Sequence, residues 1–494
     1  MKLSELLQGL ECEIVQKGFE CEITSLTSDS RKVTENGVFI CITGAVSDGH
    51  KYIPQVIQKK AGVIVIQDSA LGNDETASLI KEIPSDITIV KAQNTRLALA
   101  VMSANYFGNP AKKLFTIGIT GTKGKTTTTY MVKNVLDACG IKTGLIGTIE
   151  TIIGDEHTPA CNTTPESYDI HKSFAKMAEQ GCKAVVMEVS SQGLKLDRTA
   201  GIMFDIGVFT NLEPDHIGPN EHASFEEYLE CKAKLFSQCK VGIVNADDEH
   251  TPKILEHATC SIESYGISDK ADIRAKNITL FHEPGKIGLS YDCEGLVNMP
   301  VTLKLPGKFS VYNSLCAIAV TRHFNVDKDT LEKMLYEVKV KGRIEIVPVS
   351  DRFTLMIDYA HNAMALKSIL ETLKEYNPNR LVCLFGCGGN RSKERRFEMG
   401  EVSGKLADLT IITSDNPRFE EPLDIIEDIK TGISKTTGKH VDIPDRKEAI
   451  KEAIEMANKL DIIVLAGKGH EPYQEINGTK YPFDERIIVK EIIG

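Results

Sequence analysis

The sequence predicts an α/β protein of three domains. Its 494 residues exceed the size at which a single hydrophobic core stops growing. From Phe115 onward, apolar runs of strand length alternate with helical patterns, as in "FTIGIT", "AVVMEV", "FDIGVFTNL" and "VGIVNADD". A second series contains "LMIDYAHN", "LVCLFGC", "LTIITSDNPR" and "DIIVLAGKGHE". This alternation is typical of parallel strands with helices between them, so we expect two such domains after an N-terminal α/β domain.

Breaks in the pattern place the domain boundaries. Short apolar runs and turn residues fill the first part of the chain, which closes on Gly108, Asn109 and Pro110 just before the strand at Phe115. The second strand series begins after residue 340. We therefore expect domains at 1–110, 111–340 and 341–494.

Composition limits the partners and the compartment. The chain has 58 Lys and Arg against 69 Asp and Glu, and this net charge of −11 disfavours non-specific binding to nucleic acid or to an anionic membrane. No apolar run approaches the ~18 residues of a membrane span, and the N-terminal segment lacks a signal-peptide core. Thirteen scattered cysteines show no CxxC spacing. We expect a cytoplasmic monomer with reduced thiols and neither nucleic-acid binding nor membrane insertion.

A glycine-lysine turn follows the first buried strand of the second domain. In "GITGTKGKTT", Gly121 and Gly124 allow backbone N–H groups to point at phosphate oxygens, and Lys125 adds a positive charge. Thr126 offers a hydroxyl to Mg²⁺, and the helix that follows presents its positive end. The usual GxxxxGK[ST] spacing requires glycine where Ile119 stands, so this is a shortened variant. The turn predicts a nucleoside-triphosphate site; the alternative is a glycine turn without a function.

Two polar residues at neighbouring strand ends are candidate magnesium ligands. Glu188 closes "AVVMEV", and His216 follows the next strand in "TNLEPDHIG". Oxygen ligands suit Mg²⁺, and strand ends are where such ligands collect. Each residue has an ordinary alternative, because Glu188 could be a capping or solvated carboxylate and His216 a structural histidine with Asp215 capping a turn.

One lysine occupies an unexpected helical position. In "SFEEYLECKAKLF", Lys232 shares a stripe with Phe225, Leu229 and Phe236, whereas Lys234 falls on the opposite face. A buried stem with an amine that reaches water is the ordinary interpretation. The alternative is a functional lysine with altered chemistry in a dry site.

Eleven motifs in this order resemble those of the Mur ligases, over essentially the whole chain. They are "LTSDSRKV", "GTKGKTT", "CNTTPES", "MEVSSQGLKLDR", "CKAKLF", "PGKFSVYNS", "KGRIE", "DYAHN", "GCGGNR", "SDNPR" and "AGKGHE". The resemblance implies a ligase that forms a carbon–nitrogen bond and releases ADP. In that reaction a carboxylate of UDP-MurNAc-L-Ala-D-Glu attacks ATP to give an acyl phosphate, and the amine of an amino acid then displaces phosphate.

The resemblance also implies roles for the residues already singled out. Lys125, Glu188, His216 and Lys232 would be catalytic. Thr126, Glu188, His216 and Lys232 would hold Mg²⁺, with Lys232 carbamylated by CO₂ into an anionic group. The residues implied to bind ATP are Gly121, Thr122, Lys123, Gly124, Lys125, Thr126, Thr127, Asn313, Arg343 and Asp358.

The nucleotide-sugar dipeptide would bind residues of the first two domains. For the UDP end these are Ser28, Ser30, Ala45, Val46 and Ser47. For the muramoyl-dipeptide they are Thr163, Thr164, Ser190 and Arg198.

"SDNPR" resembles the motif of the family members that add meso-diaminopimelate. There an arginine pairs with the distal carboxylate of the amino acid, and Arg418 is the matching residue here. A guanidinium group can bind a carboxylate with two parallel hydrogen bonds, whereas L-lysine would bring a cation toward a cation. The alternative is a surface pair of Arg418 with Glu420 or Glu421. The residues implied for this pocket are Arg391, Asp415, Asn416, Pro417, Arg418, Gly467 and Glu471.

Several positions depart from the family pattern. "DHIGPNEH" replaces the commoner DHLDxH, so the second histidine arrives later, at His222, while Leu196 and Ala363 stand where glutamine and proline are common. These departures concern substrate choice, and they leave three alternatives open. The chain could add another amino acid such as L-lysine, use a related acceptor, or act as a nucleotide-dependent switch on the same scaffold.

Overall fold

The computed structural model describes residues 1–44, 47–218 and 221–494. These form two compact units, Met1–Tyr265 and Gly266–Gly494. The predicted α/β class is confirmed, because parallel strands alternate with helices in both units. The predicted domain boundaries at 110 and 340 stay a prediction.

The first unit holds thirteen strands and nine α-helices among its described residues. The strands are β1 Cys12–Gln16, β2 Leu26–Thr27, β3 Val38–Ile40, β4 Val63–Gln67, β5 Thr88–Ala92, β6 Phe115–Thr120, β7 Thr143–Ile146, β8 Glu150–Ile153, β9 Glu156–Pro159, β10 Ala184–Glu188, β11 Phe204–Phe209, β12 Cys239–Asn245 and β13 Ser261–Gly266, which ends at the boundary. The helices are α1 Leu3–Leu6, α2 Ile53–Gln58, α3 Asp74–Lys81, α4 Thr95–Tyr106, α5 Lys125–Ala138, α6 Ser167–Glu179, α7 Ser191–Lys195, α8 Phe225–Ala233 and α9 Thr251–Ile254.

Two sheets organise this unit. The first has the order β1-β5-β4-β3-β2, with only β1 antiparallel to its neighbour. The second runs β13-β12-β11-β6-β10-β7-β8-β9 and is parallel from β13 to β7. β6 therefore lies between β10 and β11, and its buried Ile117 and Ile119 anchor it in the core. The carboxyl ends of these three strands meet at one edge of the sheet.

The second unit holds eleven strands and seven α-helices. The strands are β14 Ile273–Glu283, β15 Lys286–Gly295, β16 Met299–Leu303, β17 Glu345–Val347, β18 Thr354–Asp358, β19 Leu381–Phe385, β20 Leu409–Ile412, β21 His440–Asp442, β22 Ile462–Ala466, β23 Tyr473–Ile476 and β24 Thr479–Pro482. The helices are α10 Lys308–Thr321, α11 Lys328–Glu337, α12 Ala363–Lys374, α13 Lys393–Leu406, α14 Pro422–Ile433, α15 Arg446–Glu455 and α16 Glu485–Ile493.

Its main sheet has the order β17-β18-β22-β19-β20-β21. Only β17 is antiparallel, so the carboxyl ends of β18, β19, β20 and β22 share one edge. β14, β15 and β16 form an antiparallel meander, and β23 pairs with β24 through a hairpin turn at Asn477 and Gly478. The loops that follow the parallel strands carry the polar motifs of the sequence, as expected for open α/β sheets.

Two further expectations from the sequence concern the cysteines and membrane-spanning helices. No disulfide joins the thirteen cysteines, all of which lie in the described part of the chain and most of which are buried. Among the described helices, none combines the length and the apolar composition that a membrane crossing requires.

Candidate active site

The predicted phosphate-binding turn links β6 to α5. Gly121 has φ +147° and Gly124 has φ +85°, both in the region that favours glycine. A Cβ atom at Gly121 would lie 1.9 Å from Oγ1 of Thr210, so any larger residue would displace the turn. The glycines that suggested the site are therefore required by its backbone.

The segment after β11 holds this turn in place. The Asn211 side chain accepts a hydrogen bond from the Lys123 N–H (2.9 Å) and donates one to the Lys123 carbonyl (3.0 Å). The Thr210 hydroxyl donates to the same carbonyl at 2.7 Å, and the Thr122 N–H donates to the Asn211 carbonyl at 2.9 Å. Sequence reasoning missed Thr210 and Asn211, although they open the quoted "TNLEP" motif. Thr210 and Asn211 therefore fix the shape of the turn, whose glycines would otherwise leave its backbone flexible.

Two lysine amines converge on the carbonyl oxygen of Gly121. Nζ of Lys125 donates to it at 2.7 Å and also to the Thr122 carbonyl at 3.0 Å. Nζ of Lys232, in α8, donates to the Gly121 carbonyl at 2.9 Å. The sequence separates these two lysines by more than a hundred residues, yet they share one acceptor.

Lys232 is buried, with 1% of its surface exposed, and its amine lies 4.4 Å from the centre of the Tyr228 ring. The interpretation that its amine reaches water is therefore wrong, because the amine points at a backbone carbonyl inside the domain. Burial, and then the neighbouring charge of Lys125, hold the pKa of Lys232 well below its usual range. A lowered pKa favours the neutral amine, which is the nucleophilic form of lysine.

Glu188 is a buried carboxylate at the end of β10. Its Oε1 accepts from the Thr148 N–H and its Oε2 from the Thr148 hydroxyl, both at 2.9 Å. The solvated alternative is wrong for Glu188, which is 0% exposed. Two hydrogen bonds leave a carboxylate with acceptor capacity. Glu188 and the hydroxyl of buried Thr126, in the first turn of α5, are oxygen groups of the kind that Mg²⁺ prefers.

His216 lies on a more exposed loop after β11. Its backbone has φ +55°, its Nδ1 is 3.3 Å from Oε1 of Glu221, and Asp215 accepts its N–H at 2.9 Å. His222 is buried: its Nε2 is 2.9 Å from the Ser191 hydroxyl, and its N–H donates to the His216 carbonyl at 3.0 Å. His222 therefore links the loop that carries His216 to α7.

The metal ligand set of Thr126, Glu188, His216 and carbamylated Lys232 stays a prediction. Within residues 1–44, 47–218 and 221–494, no group of three or more His, Cys, Asp and Glu side chains is arranged to hold a metal ion. The predicted set contains only two residues of those types.

The residues predicted for the muramoyl-dipeptide come together beside Glu188. The buried Thr164 donates its hydroxyl hydrogen to the Glu188 carbonyl (2.9 Å) and accepts the Ser190 N–H (2.9 Å). Arg198 donates to the Thr164 carbonyl at 2.9 Å, and Thr163 lies 3.1 Å from the Thr148 hydroxyl. This end of β10 therefore joins a buried carboxylate to a guanidinium group, whose charge is paired with Glu166 at 2.7 Å.

The residues predicted for the UDP end belong to the first sheet. Ser30 is buried and donates to Oε1 of Gln55 in α2 at 2.8 Å, whereas Ser28 is exposed after β2. Ser47 is exposed, with its hydroxyl 3.1 Å from that of Tyr52. The predicted positions Ala45 and Val46 lie outside the described residues.

Three of the predicted ATP-binding residues lie in the second unit. Asp358 ends β18 and accepts the N–H groups of Ile344 and Ala360, both at 2.8 Å. Burial raises the pKa of Asp358, and the charge of Arg343 opposes that shift. Arg343 lies 4.8 Å from the Tyr359 ring, while Asn313 is buried in α10. Lys123, Gly124 and Thr127 belong to the turn and helix of the first unit.

The predicted amino-acid pocket lies at the carboxyl ends of β19, β20 and β22. The Asn416 side chain donates to Oε2 of Glu471 at 2.9 Å. A Cβ atom at Gly467 would lie 2.9 Å from Oδ2 of Asp415, so these two loops touch. Arg391 is exposed in the loop after β19, and Pro417 is buried.

Arg418 adopts φ +54° and donates through NH1 to the Gly389 carbonyl at 2.7 Å. Its ion pair is with Glu475, whose Oε2 lies 3.4 Å from Nε of Arg418. The surface alternative, which required a pair with Glu420 or Glu421, is therefore wrong. Glu420 instead pairs with the buried Arg396 at 2.9 Å. Sequence reasoning missed Arg396, whose partners are distant in the chain.

Comparison with known proteins agrees with this arrangement. Three family profiles match: the Mur ligase family catalytic domain at 22–107, the Mur ligase middle domain at 119–321, and the Mur ligase glutamate ligase domain at 342–469. A UDP-N-acetylmuramoyl-L-alanyl-D-glutamate–2,6-diaminopimelate ligase of Clostridium acetobutylicum is 42% identical, over 100% of this chain and 99% of that protein. One from Caldanaerobacter subterraneus is 43% identical with the same coverage.

Solved structures give the same result. A structure of a 2,6-diaminopimelate ligase of this type has a TM-score of 0.71 at 28% identity, covering 100% of this chain and 98% of that one. MurF from Thermotoga maritima, solved in complex with ADP, shares the fold with a TM-score of 0.57 at 18% identity, covering 95% of this chain and 96% of that one. The phosphate turn, the polar strand ends and these full-length matches lead to one conclusion: the chain belongs to the Mur ligase family.

Proposed function

We propose that the protein is an ATP-dependent ligase that adds meso-diaminopimelate to UDP-MurNAc-L-Ala-D-Glu in the synthesis of peptidoglycan precursors. The observation that carries this proposal is the edge formed by β6, β10 and β11. There a phosphate-binding turn, two converging lysines and a buried carboxylate lie beside the Thr164 and Arg198 cluster. Full-length relatives with that named activity support it.

The turn and its lysine handle the triphosphate. Backbone N–H groups at the start of α5 and the Lys125 ammonium bind the phosphate oxygens, and the positive end of α5 adds to this attraction. An oxygen of the acceptor carboxylate attacks the γ-phosphorus, the bond to the β-phosphate oxygen breaks, and ADP leaves. Phosphoryl transfer depends mainly on alignment and charge neutralisation, which are the properties that a rigid turn and a fixed lysine provide.

The acyl phosphate then reacts with the amino acid. The amine adds to its carbonyl carbon to give a tetrahedral intermediate, which expels inorganic phosphate and leaves an amide. Arg198, Thr164 and Ser190 would hold the peptide end of the acceptor beside the turn. The UDP end would bind the first domain, at 1–110, through Ser28, Ser30 and the 45–47 segment.

Magnesium and CO₂ complete the proposed site. Thr126, Glu188, His216 and carbamylated Lys232 would hold Mg²⁺, which neutralises charge on the transferring phosphoryl group. Carbamylation forms a bond between Nζ and the carbon of CO₂ with loss of a proton, and it requires a deprotonated amine. The depressed pKa of Lys232 supports this step. A carbamate would also turn an amine beside Lys125 into an anion.

The residues from the second unit complete the proposal. Asn313 would contact the adenine side of ATP, and Arg343 and Asp358 would contact its ribose or phosphates. The Arg418 guanidinium would bind the distal carboxylate of diaminopimelate, and Glu471 would bind its distal ammonium group. We also propose a cytoplasmic location, in line with the thirteen unpaired cysteines.

A phosphate-release assay tests the proposed function. We expect release from ATP and Mg²⁺ only when UDP-MurNAc-L-Ala-D-Glu and meso-diaminopimelate are both present, with far less release when L-lysine replaces diaminopimelate.

Lys125→Ala should lower the rate by roughly 100-fold or more, because it removes the main cation from the phosphates. Lys172→Ala, at an exposed position of α6, is the matched control and should leave the rate unchanged.

Phosphate release at the same rate with and without the two substrates would instead favour a nucleotide-dependent switch. Equal use of L-lysine would reject the choice of diaminopimelate while keeping the ligase chemistry.

Arg418→Gln tests how the amino acid is selected. A hydrogen bond to a charged group contributes about 1.5–3 kcal/mol, so its loss should raise the KM for meso-diaminopimelate by roughly 10- to 100-fold. The KM for ATP should stay constant, as should both constants in the exposed control Arg352→Gln. Steady-state kinetics with each substrate varied in turn measure this. An unchanged KM for diaminopimelate would exclude Arg418 from the pocket.

Lys232→Ala tests the carbamate. We expect the variant to lose activity because it removes an anionic ligand, and a small carboxylic acid such as acetate should restore part of that activity. Rates measured against acetate concentration provide the test, with Lys125→Ala as a variant that acetate should not rescue. Full activity of Lys232→Ala without acetate would contradict the assignment.

A further inference from the structure

Lys468 is a buried cation within the proposed amino-acid pocket, and nothing in the proposed reaction yet uses it. It follows β22 in "AGKGHE", and its side chain is 0% exposed. Its Nζ lies 3.1 Å from Oδ1 of Asp415 and 3.8 Å from Oε2 of Glu471. The Tyr473 and Phe483 rings, each 5.9 Å away, shield it from water. A lysine this deeply buried costs stability unless its charge is matched.

Lys468 is one of two donors that determine which way the Asn416 amide faces. Oδ1 of Asn416 accepts hydrogen bonds from Nζ of Lys468 and from the Glu475 N–H, both at 3.0 Å. Both neighbours are donors only, so the carbonyl end of the amide has to face them. The amino end must therefore face Oε2 of Glu471, to which it donates at 2.9 Å. The Lys468 ammonium group and the Glu475 N–H thus set the orientation of Asn416 together, and Asn416 in turn holds Glu471.

Lys468 also sets the charge of the cluster. Asp415 and Glu471 supply two negative charges and Lys468 supplies one positive charge, which leaves one net negative charge. On the neighbouring loop, the Arg418 guanidinium is held by the Gly389 carbonyl and faces Glu475. One net negative charge on this cluster matches the ammonium group of a substrate end, and the Arg418 guanidinium, whose five N–H donors are not exhausted by Gly389 and Glu475, matches its carboxylate.

We propose that Lys468 is a positioning and specificity-determining residue: it orients Asn416 and Glu471 and limits the cluster to one net negative charge, so that the pocket takes a zwitterionic amino-acid end. This inference rests on the proposed function, because it assigns the pocket of that reaction. It adds a residue that does not itself touch the substrate and that acts through Asn416, Asp415 and Glu471.

Lys468→Met tests the inference, because methionine keeps an unbranched apolar stem and removes the charge. We expect the KM for meso-diaminopimelate to rise at least tenfold, and by more than kcat falls. The KM values for ATP and UDP-MurNAc-L-Ala-D-Glu should change less than twofold. The preference for meso-diaminopimelate over L-lysine, as a ratio of kcat/KM values, should fall at least fivefold, because two unbalanced carboxylates favour a purely cationic side chain.

A matched control separates positioning from simple stability. Arg380 pairs with the buried Asp461 at 2.6 Å, and both residues precede strands of the same sheet, at the edge opposite the pocket. Arg380→Met should lower Tm and leave every KM unchanged. If Lys468→Met also lowers Tm but leaves the KM for meso-diaminopimelate and the substrate preference unchanged, Lys468 is only structural and the inference is overturned.

A second variant covers the case in which Lys468→Met does not fold. Asp415→Asn/Lys468→Met removes both members of the buried pair, which proteins tolerate better than the loss of one. The double variant keeps one net negative charge, on Glu471, so it isolates the orientation of Asn416: compared with the wild type we still expect at least a tenfold rise in the KM for meso-diaminopimelate, and an equal KM would overturn the inference. If the wild-type protein incorporates no diaminopimelate, the proposed function fails instead, so the two failures are distinguishable.

Discussion

The carbonyl oxygen of Gly121 accepts hydrogen bonds from two lysine amines, and the rest of the active site depends on this contact. Lys125 reaches it at 2.7 Å from the helix that follows the turn, and Lys232 at 2.9 Å from α8. Two ammonium groups that share one acceptor repel each other, and burial penalises the charged form of Lys232 further. Lys125 and Lys232 therefore differ although they share an acceptor, because burial and the charge of Lys125 lower the pKa of Lys232. Strand β6, α5 and α8 meet at this one atom.

The sheet explains why the remaining groups lie nearby. Because β6 is flanked by β10 and β11 in parallel, Glu188, Thr210 and Asn211 all emerge at the edge where the turn begins. Thr210 and Asn211 hold the turn, while Glu188 stays buried and keeps acceptor capacity for a cation. The same rule places the Asp415 to Arg418 loop beside Gly467 and Lys468 in the second unit. Each unit therefore builds its site from loops at the carboxyl ends of parallel strands.

Local patterns in the sequence predicted most of the fold and the centre of the site. The glycines, Lys125 and the strand before them identified the turn, since phosphate binding there requires residues that are close together in the chain. Contacts between distant segments could not be predicted in this way. The helical stripe placed Lys232 on the buried side but did not reveal its acceptor, the Gly121 carbonyl, and the partner of Arg418 proved to be Glu475. Lys468 belongs to the quoted motif "AGKGHE", but its partner Asp415 lies in the loop after a different strand, β20.

The central claim is that the turn presents ATP to a carboxylate. Its most direct test is to measure whether an oxygen atom of the acceptor carboxylate appears in the released phosphate. UDP-MurNAc-L-Ala-D-Glu labelled with ¹⁸O in the reacting carboxylate of D-Glu would be turned over with ATP and meso-diaminopimelate, and the released phosphate analysed by mass spectrometry. The account predicts one ¹⁸O atom in each phosphate, because the carboxylate oxygen that attacks the γ-phosphorus leaves with it. Phosphate without the label, carrying oxygen from water instead, would contradict the account.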